Sequence, residues 1–235
     1  MEKMAELKPT NETYSELQIA FAHFNLELFD SELPACLITL QRQKNTFGYL
    51  SPERFVNRGG KRADEIALNP SYFASRTPQD VMSTLVHEMV HLWQFTFGKP
   101  SRGRYHNKQW AEKMKSIGLH PSDTGEPGGK ETGDQMTHYL IDGGPFHHSC
   151  NGLISDAFRL SWLDRFPEKV SGTIEPGLDE GQMERLGIVE PDENTGGSNS
   201  PSRTKFTCSG CSANAWGKAS LNLVCGGCEL PMEAE

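Results

Sequence analysis

The 235-residue chain has no run of 18 apolar residues, which excludes an expected transmembrane helix. Residues 1–16 are polar and lack the apolar core of a secretory signal. These two absences lead to the expectation of a cytoplasmic protein with no membrane partner. Positive charge is also short. The formal net charge is −8, which argues against a protein coated along its length in nucleic acid. There are 6 cysteines, and four of them crowd near the C-terminus. In an intracellular protein such a cluster points to metal and not to disulfides. Cys36 lies in an apolar run and reads as a small buried hydrophobe; Cys150 gives no readable role.

The charge that is present is uneven. Residues 170–200 carry seven acids against Arg185 alone, whereas residues 99–115 carry six bases (Lys99, Arg102, Arg104, Lys108, Lys113, Lys115) against Glu112. A global charge is therefore a poor guide to local partners. Hydrophobic content of 36% suits a protein with an adequate core. The length divides naturally into one domain and a small appendage: residues 12–166, an acidic flexible linker over 167–202, and a module over 203–231.

Read in order, residues 13–29 show helical periodicity in Leu17, Ala20, Phe21, Phe24 and Leu28. Three strand candidates follow at 35–41, 46–50 and 65–68. Together they predict an α+β fold with a small antiparallel sheet of three or four strands packed on helices. Thr77-Pro78-Gln79-Asp80 is a helix start with a cap, a proline in the first turn and an acid at the positive end. That helix should run to about residue 97, with Val81, Leu85, Met89 and Leu92 facing the core. A second helix is expected over 106–117, with Trp110, Met114 and Ile117 inward. Residues 118–133 read as loop, 137–141 as a strand, 157–166 as a short helix, and 180–186 as a short helix within the acidic stretch.

The first capped helix carries His87-Glu88-x-x-His91. Residues four apart on a helix lie one above the other, so two imidazoles converge with a carboxylate beside them. This is the arrangement for zinc-assisted hydrolysis of a peptide bond, with Glu88 as the catalytic base. A catalytic zinc commonly has three protein ligands and one open position. His106, four residues before Trp110, shares that helix's inward stripe and is the favoured third ligand. Glu112 is its rival, but it lies ~200° around the helix from Trp110. Gln94 and Phe97 stand where the metzincin pattern needs glycine and histidine. His23, His120, His138, His147 and His148 read as surface or packing residues, with His138 and Tyr139 as candidates to line a cleft. Tyr105 is a candidate hydrogen-bond donor to a developing oxyanion.

Near the C-terminus, Cys208-x-x-Cys211 and Cys225-x-x-Cys228 stand thirteen residues apart, the spacing of a zinc ribbon. Four thiolates close a tetrahedral site, so this zinc would be structural. A segment so short cannot bury a sufficient core without it.

Four features together resemble the SprT-like family of zinc metallopeptidases. They are Phe24-Asn25-x-x-Leu28-Phe29 before Leu33-Pro34, then Ile66-Ala67-Leu68-Asn69-Pro70, then Thr84-Leu85-Val86-His87-Glu88-Met89-Val90-His91, then His106. The terminal ribbon resembles one found in many bacterial members. The resemblance implies a gluzincin-like, zincin-type α+β fold, three histidine ligands, a glutamate base and proteolysis linked to DNA. Lys99, Arg102, Arg104 and Lys108 would then be candidate phosphate contacts. The alternative reading is a zinc-stabilised adaptor that binds nucleic acid or protein without cleaving anything.

Overall fold

The computed structural model describes residues 8–155, 158–168, 177–189 and 204–234. They belong to two compact units, Met1–Glu190 and Pro191–Glu235. The first unit is a mixture of helices and small sheets.

Helix α1 (Pro9–Phe29) buries Leu17, Ala20, Phe21, Phe24 and Leu28 at the expected spacing. It begins four residues earlier than the periodicity indicates, because Pro9 suits a first helical turn. Asp30 ends it in the left-handed conformation, at φ 54°. The Asn25 amide then braces the exit. Its Nδ2 donates to the Leu33 carbonyl at 3.2 Å, and its Oδ1 accepts from the Leu33 N–H at 3.1 Å.

Strands β1 (Leu37–Leu40), β2 (Gly48–Val56) and β3 (Arg62–Leu68) form a sheet in the order β1-β3-β2. The pairing of β2 with β3 is antiparallel, but β1 runs parallel to β3. The sheet is therefore mixed, which corrects the expectation of an antiparallel one. The most buried strand, with Glu65, Ile66, Ala67 and Leu68 covered, takes the centre. It must oppose its hairpin partner β2, and so it matches the direction of β1. Asn69 follows β3 and is buried. It donates to the carbonyls of Gln43 and Thr46 at 2.8 and 2.9 Å and accepts from the Ser71 N–H at 3.1 Å. One side chain thus fixes the β1–β2 loop against the 3-10 turn Pro70–Tyr72.

Helix α2 (Pro78–Phe97) is capped by Thr77, whose hydroxyl accepts from the Asp80 N–H at 3.1 Å. The expected apolar stripe proves too narrow a description: every residue from Val81 to Val90 is buried. The helix packs against β2, β3, α1, α3 and α4, so little of its circumference meets solvent. Helix α3 (Lys108–Ser116) follows, and Gly118 leaves it at φ +90°. A Cβ at Gly118 would come within 2.9 Å of the Phe146 nitrogen, so the position requires glycine twice over.

Two elements depart from expectation. Strand β4 (Leu119–Ser122) occupies a stretch expected as loop and pairs antiparallel with β5 (Thr137–Leu140). Pro121 obscures it in the sequence, yet a strand at the edge of a two-stranded sheet tolerates proline. Helix α4 (Pro145–Ser155) occupies a stretch for which no element was expected; Pro145 sits in its first turn and Phe146, Cys150 and Leu153 are buried. The helix expected over 157–166 is absent from residues 158–166, and Ala157 lies outside the described residues. Cys150 is a core residue of the first unit, and Cys36 packs partly buried beside that core.

Helix α5 (Glu180–Leu186) forms where expected, with an Asp179–Gln182 capping box. The Val189 N–H donates to the Arg165 carbonyl at 2.9 Å, and Arg165 Nε donates to the Gly187 carbonyl at 3.0 Å. Residues 169–176 and 190–202 of the expected linker, and residue 203 of the expected module, lie outside the described residues. The second unit is a three-stranded sheet, β7 (Asn214–Gly217), β6 (Thr204–Cys208) and β8 (Met232–Ala234) in that order. Its buried apolar side chains among the described residues are Phe206, Cys208 and Cys225. Among the described residues no helix is long and apolar enough to cross a membrane.

Because the buried Asn69 side chain makes three hydrogen bonds, Asn69→Ala should cost about 2–3 kcal/mol. Denaturant unfolding of the two proteins measures this.

Candidate metal centres

Helix α2 places His87 and His91 one turn apart, with ring centroids separated by 5.1 Å. His106 arrives from the chain just before α3. It was expected to open that helix; instead it sits one residue ahead of the cap, in an extended bridge with Gly133. The reason is Asn107, the better cap, whose Oδ1 accepts from the Trp110 N–H at 3.1 Å. The loop before it is stitched to both helices. Gln94 Nε2 donates to Asn107 Oδ1 at 2.7 Å, Asn107 Nδ2 donates to the Lys99 carbonyl at 2.9 Å, and Gln109 Oε1 accepts from the Lys99 N–H at 2.7 Å. Gln94, noted in the sequence only as a departure from another pattern, is thus a brace for the loop that carries His106.

The His106 ring is held by the Gly133 carbonyl at 3.1 Å from Nδ1, and its Nε2 lies 3.1 Å from His91 Nε2. One nitrogen from each of His87, His91 and His106 lies within 4.8 Å of the others. Trp110 forms a common floor, its ring centroid 5.0, 5.4 and 4.4 Å from those of His87, His91 and His106. The indole is fully buried, and among the described residues its N–H has no partner.

A fourth histidine joins the cluster. His138, on β5, brings its Nδ1 to 3.2 Å from His87 Nδ1 and its Nε2 to 2.9 Å from Ser83 Oγ. The sequence reading offered it only as a packing or cleft-lining residue. A four-residue strand of uniform half-burial has no alternation from which its inward face could have been read.

Burial sets the electrostatics. It holds His87 well below the ordinary histidine value, with the other histidines adding to the effect, and brings His91 and His138 each down to about 3. Burial also lowers His106, against an opposing contribution from its contact with Gly133. These rings are neutral, the state that offers a lone pair to a metal. Burial raises the Glu88 carboxyl to about 8, opposed by a hydrogen bond from the Leu50 backbone.

His87, Glu88, His91 and His106 open onto a cleft of about 930 Å³, whose walls include Tyr105 and His138. Arg76 reaches the same cleft, although the sequence gave no sign of it. Its guanidinium donates to Thr84 Oγ1 and to the Asp80 carbonyl, both at 2.9 Å, and lies 4.1 Å from the centre of the Phe47 ring. Tyr139 stacks on His120 and does not line the cleft. Glu112 is exposed, 3.6 Å from Lys108. Lys99, Arg102, Arg104 and Lys108 are exposed, and Arg104 reaches the cleft wall. Lys115 pairs with Glu131 at 2.7 Å, and Lys113 lies over the Phe29 and Trp93 rings. His147 contacts Asp142, and His23 contacts the Ser149 carbonyl.

In the second unit the sulfurs of Cys208, Cys211, Cys225 and Cys228 lie within 4.8 Å of one another. Each knuckle closes the same way. The N–H four residues after the first cysteine returns to its carbonyl at 2.8 Å, from Ser212 and from Glu229, and both those residues are left-handed. The backbone N–H groups of Gly227 and Cys228 draw the Cys225 thiol down to about 7. The two donor sets, three imidazoles and four thiols, are each compatible with zinc.

Residues 17–128 match the SprT-like family. An uncharacterized protein from the mucB 3′ region of Salmonella typhimurium is 57% identical over 65 residues, 27% of this chain and 88% of that protein. The chain belongs to the SprT-like family. The family match includes His87, Glu88, His91 and His106 but ends before His138 and before the four cysteines.

The shared indole floor carries a prediction. Trp110→Ala should destabilise the fold by about 3–5 kcal/mol, whereas Trp110→Phe, which keeps a ring and removes the unpaired N–H, should cost far less. Thermal and denaturant unfolding distinguish them.

Proposed function

We propose that this SprT-like protein is a zinc-dependent endopeptidase. The observation that carries the reading is the convergence of His87, His91 and His106 beside buried Glu88 in an open cleft. His87, His91 and His106 would hold the catalytic zinc, which supplies Lewis acidity toward water and the scissile carbonyl. Glu88 takes a proton from the attacking water as the new carbon–oxygen bond forms, then passes it to the amine as the carbon–nitrogen bond breaks. Burial pushes the Glu88 carboxyl up, which favours its taking a proton. Tyr105, exposed on the cleft wall, is placed to donate to the carbonyl oxygen as charge develops there. Cys208, Cys211, Cys225 and Cys228 would hold a second, structural zinc with no open position.

The substrates are proteins, and those associated with DNA are favoured by the exposed bases on the loop at the cleft. Lys99, Arg102 and Arg104 are available to phosphates, Lys108 shares its charge with Glu112 across an exposed pair, and Lys113 and Lys115 are engaged elsewhere.

Glu88→Gln should abolish cleavage of a DNA-binding protein while both zinc ions remain bound; persisting cleavage would reject Glu88 as the base. His106→Ala should lose one zinc per chain and Glu112→Ala should lose none, as read by metal analysis; the reverse would reassign the ligand. Adding single- or double-stranded DNA should accelerate cleavage. Replacing Lys99, Arg102 and Arg104 together by Ala should remove that stimulation and leave DNA-free cleavage in place. Binding of DNA with no cleavage by wild type would instead favour the adaptor reading.

A further inference from the structure

The hydrogen bonds beneath His87 run in one direction only, and their direction can be derived from the last atom in the chain. That atom is the Asp80 carbonyl oxygen, which can only accept. Ser83 Oγ, 2.9 Å from it, donates its one proton there, beside the Arg76 Nη2–H that the same carbonyl accepts. Having done so, Ser83 Oγ can only accept from His138 Nε2, 2.9 Å away. His138 thus carries its proton on Nε2, and its Nδ1 is bare. His87 Nδ1, 3.2 Å from that bare nitrogen, must supply the proton between them. A neutral imidazole protonated at Nδ1 leaves Nε2 as a free lone pair. No metal enters this derivation, yet it leaves His87 with one bare ring nitrogen, the kind of atom that a metal takes.

We infer that His138 is a positioning residue for the catalytic zinc: through Ser83 and the Asp80 carbonyl it fixes the ring and tautomer of His87. The inference rests on the peptidase reading and extends it by two residues, Ser83 and His138. Ser83 is buried and His138 half-buried beside the first ligand, and the relay is anchored at two levels of the fold. Ser83 and Asp80 lie one and two turns before His87 on α2, and His138 belongs to β5 of the second sheet. His106 obeys the same logic by a shorter route. Its Nδ1 faces the Gly133 carbonyl, which can only accept, so its Nε2 is likewise bare. His87 and His106 are therefore set by different neighbours, one by a side-chain relay and the other by a backbone carbonyl. Residues that orient ligands in this way typically change metal affinity about 10–100-fold when lost.

The test uses the full chain. Nitrogen-15 ring shifts of the histidines should show His138 protonated at Nε2 and His87 protonated at Nδ1; a His138 protonated at Nδ1 overturns the relay. Zinc affinity is read by chelator competition, with cobalt substitution separating the histidine site from the thiolate site by their different absorption bands. His138→Ala should weaken the histidine site about 10–100-fold and leave the cysteine site unchanged. His138→Asn, whose side-chain oxygen can occupy the place of Nδ1 and accept from His87, should recover most of that loss. Ser83→Ala should produce a smaller loss of the same kind. A His138→Ala protein that folds and binds zinc within about twofold of wild type would overturn the inference. If that variant fails to fold, the wild-type ring shifts and the Asn variant still decide. If wild type takes no metal at its histidines, the peptidase reading fails, and the ring shifts still report whether the relay exists.

Discussion

Three neutral imidazoles held against one another in a buried site form the constraint on which the first unit depends. Burial removes their charge, and an Nε2–Nε2 separation of 3.1 Å between His91 and His106 leaves no room for a second proton between them. Such an arrangement is stable only when every ring is held from behind. Trp110 supplies the common floor, the Gly133 carbonyl holds His106, and His138 holds His87. The elements around α2 are arranged to supply these supports: α3 brings Trp110, the loop before it brings His106, and β5 brings His138.

The same constraint explains why so much polar bracing surrounds segments with no regular structure. The loop between α2 and α3 must deliver one nitrogen to a site on another element. Gln94, Asn107 and Gln109 fix it with side-chain hydrogen bonds, in place of a helix or strand. Asn69 does comparable work for the β1–β2 loop, whose residues Thr46 and Phe47 form part of the cleft wall. Glu88 rides on α2 between the two histidines and accepts a hydrogen bond from the Leu50 backbone on the neighbouring strand.

What could be read in the sequence was whatever is encoded locally. Thr77 and Pro78 start a helix through backbone groups a few residues away, and two C-x-x-C pairs announce four converging thiols by spacing alone. His106 was legible by its offset from Trp110, although the element assigned to it was not, since the competition between His106 and Asn107 to begin α3 turns on cap geometry. The parallel pairing of β1 with β3 was illegible because it depends on which strand takes the centre of the sheet. Helix α4 was hidden behind Gly143-Gly144-Pro145, which reads as a terminator and in fact opens a helix. His138 was hidden for a different reason. Its partners lie 51 and 55 residues away, and no short motif joins them.

The claim that matters most is that one chain holds two zinc ions in unlike surroundings. The most direct measurement is the zinc K-edge absorption spectrum of the intact protein loaded with zinc. The account predicts an averaged first shell with sulfur at about 2.3 Å and nitrogen or oxygen at about 2.0–2.1 Å in roughly equal shares, with the outer-shell signature of imidazole. A shell of sulfur alone, in protein whose first unit is folded, would contradict it.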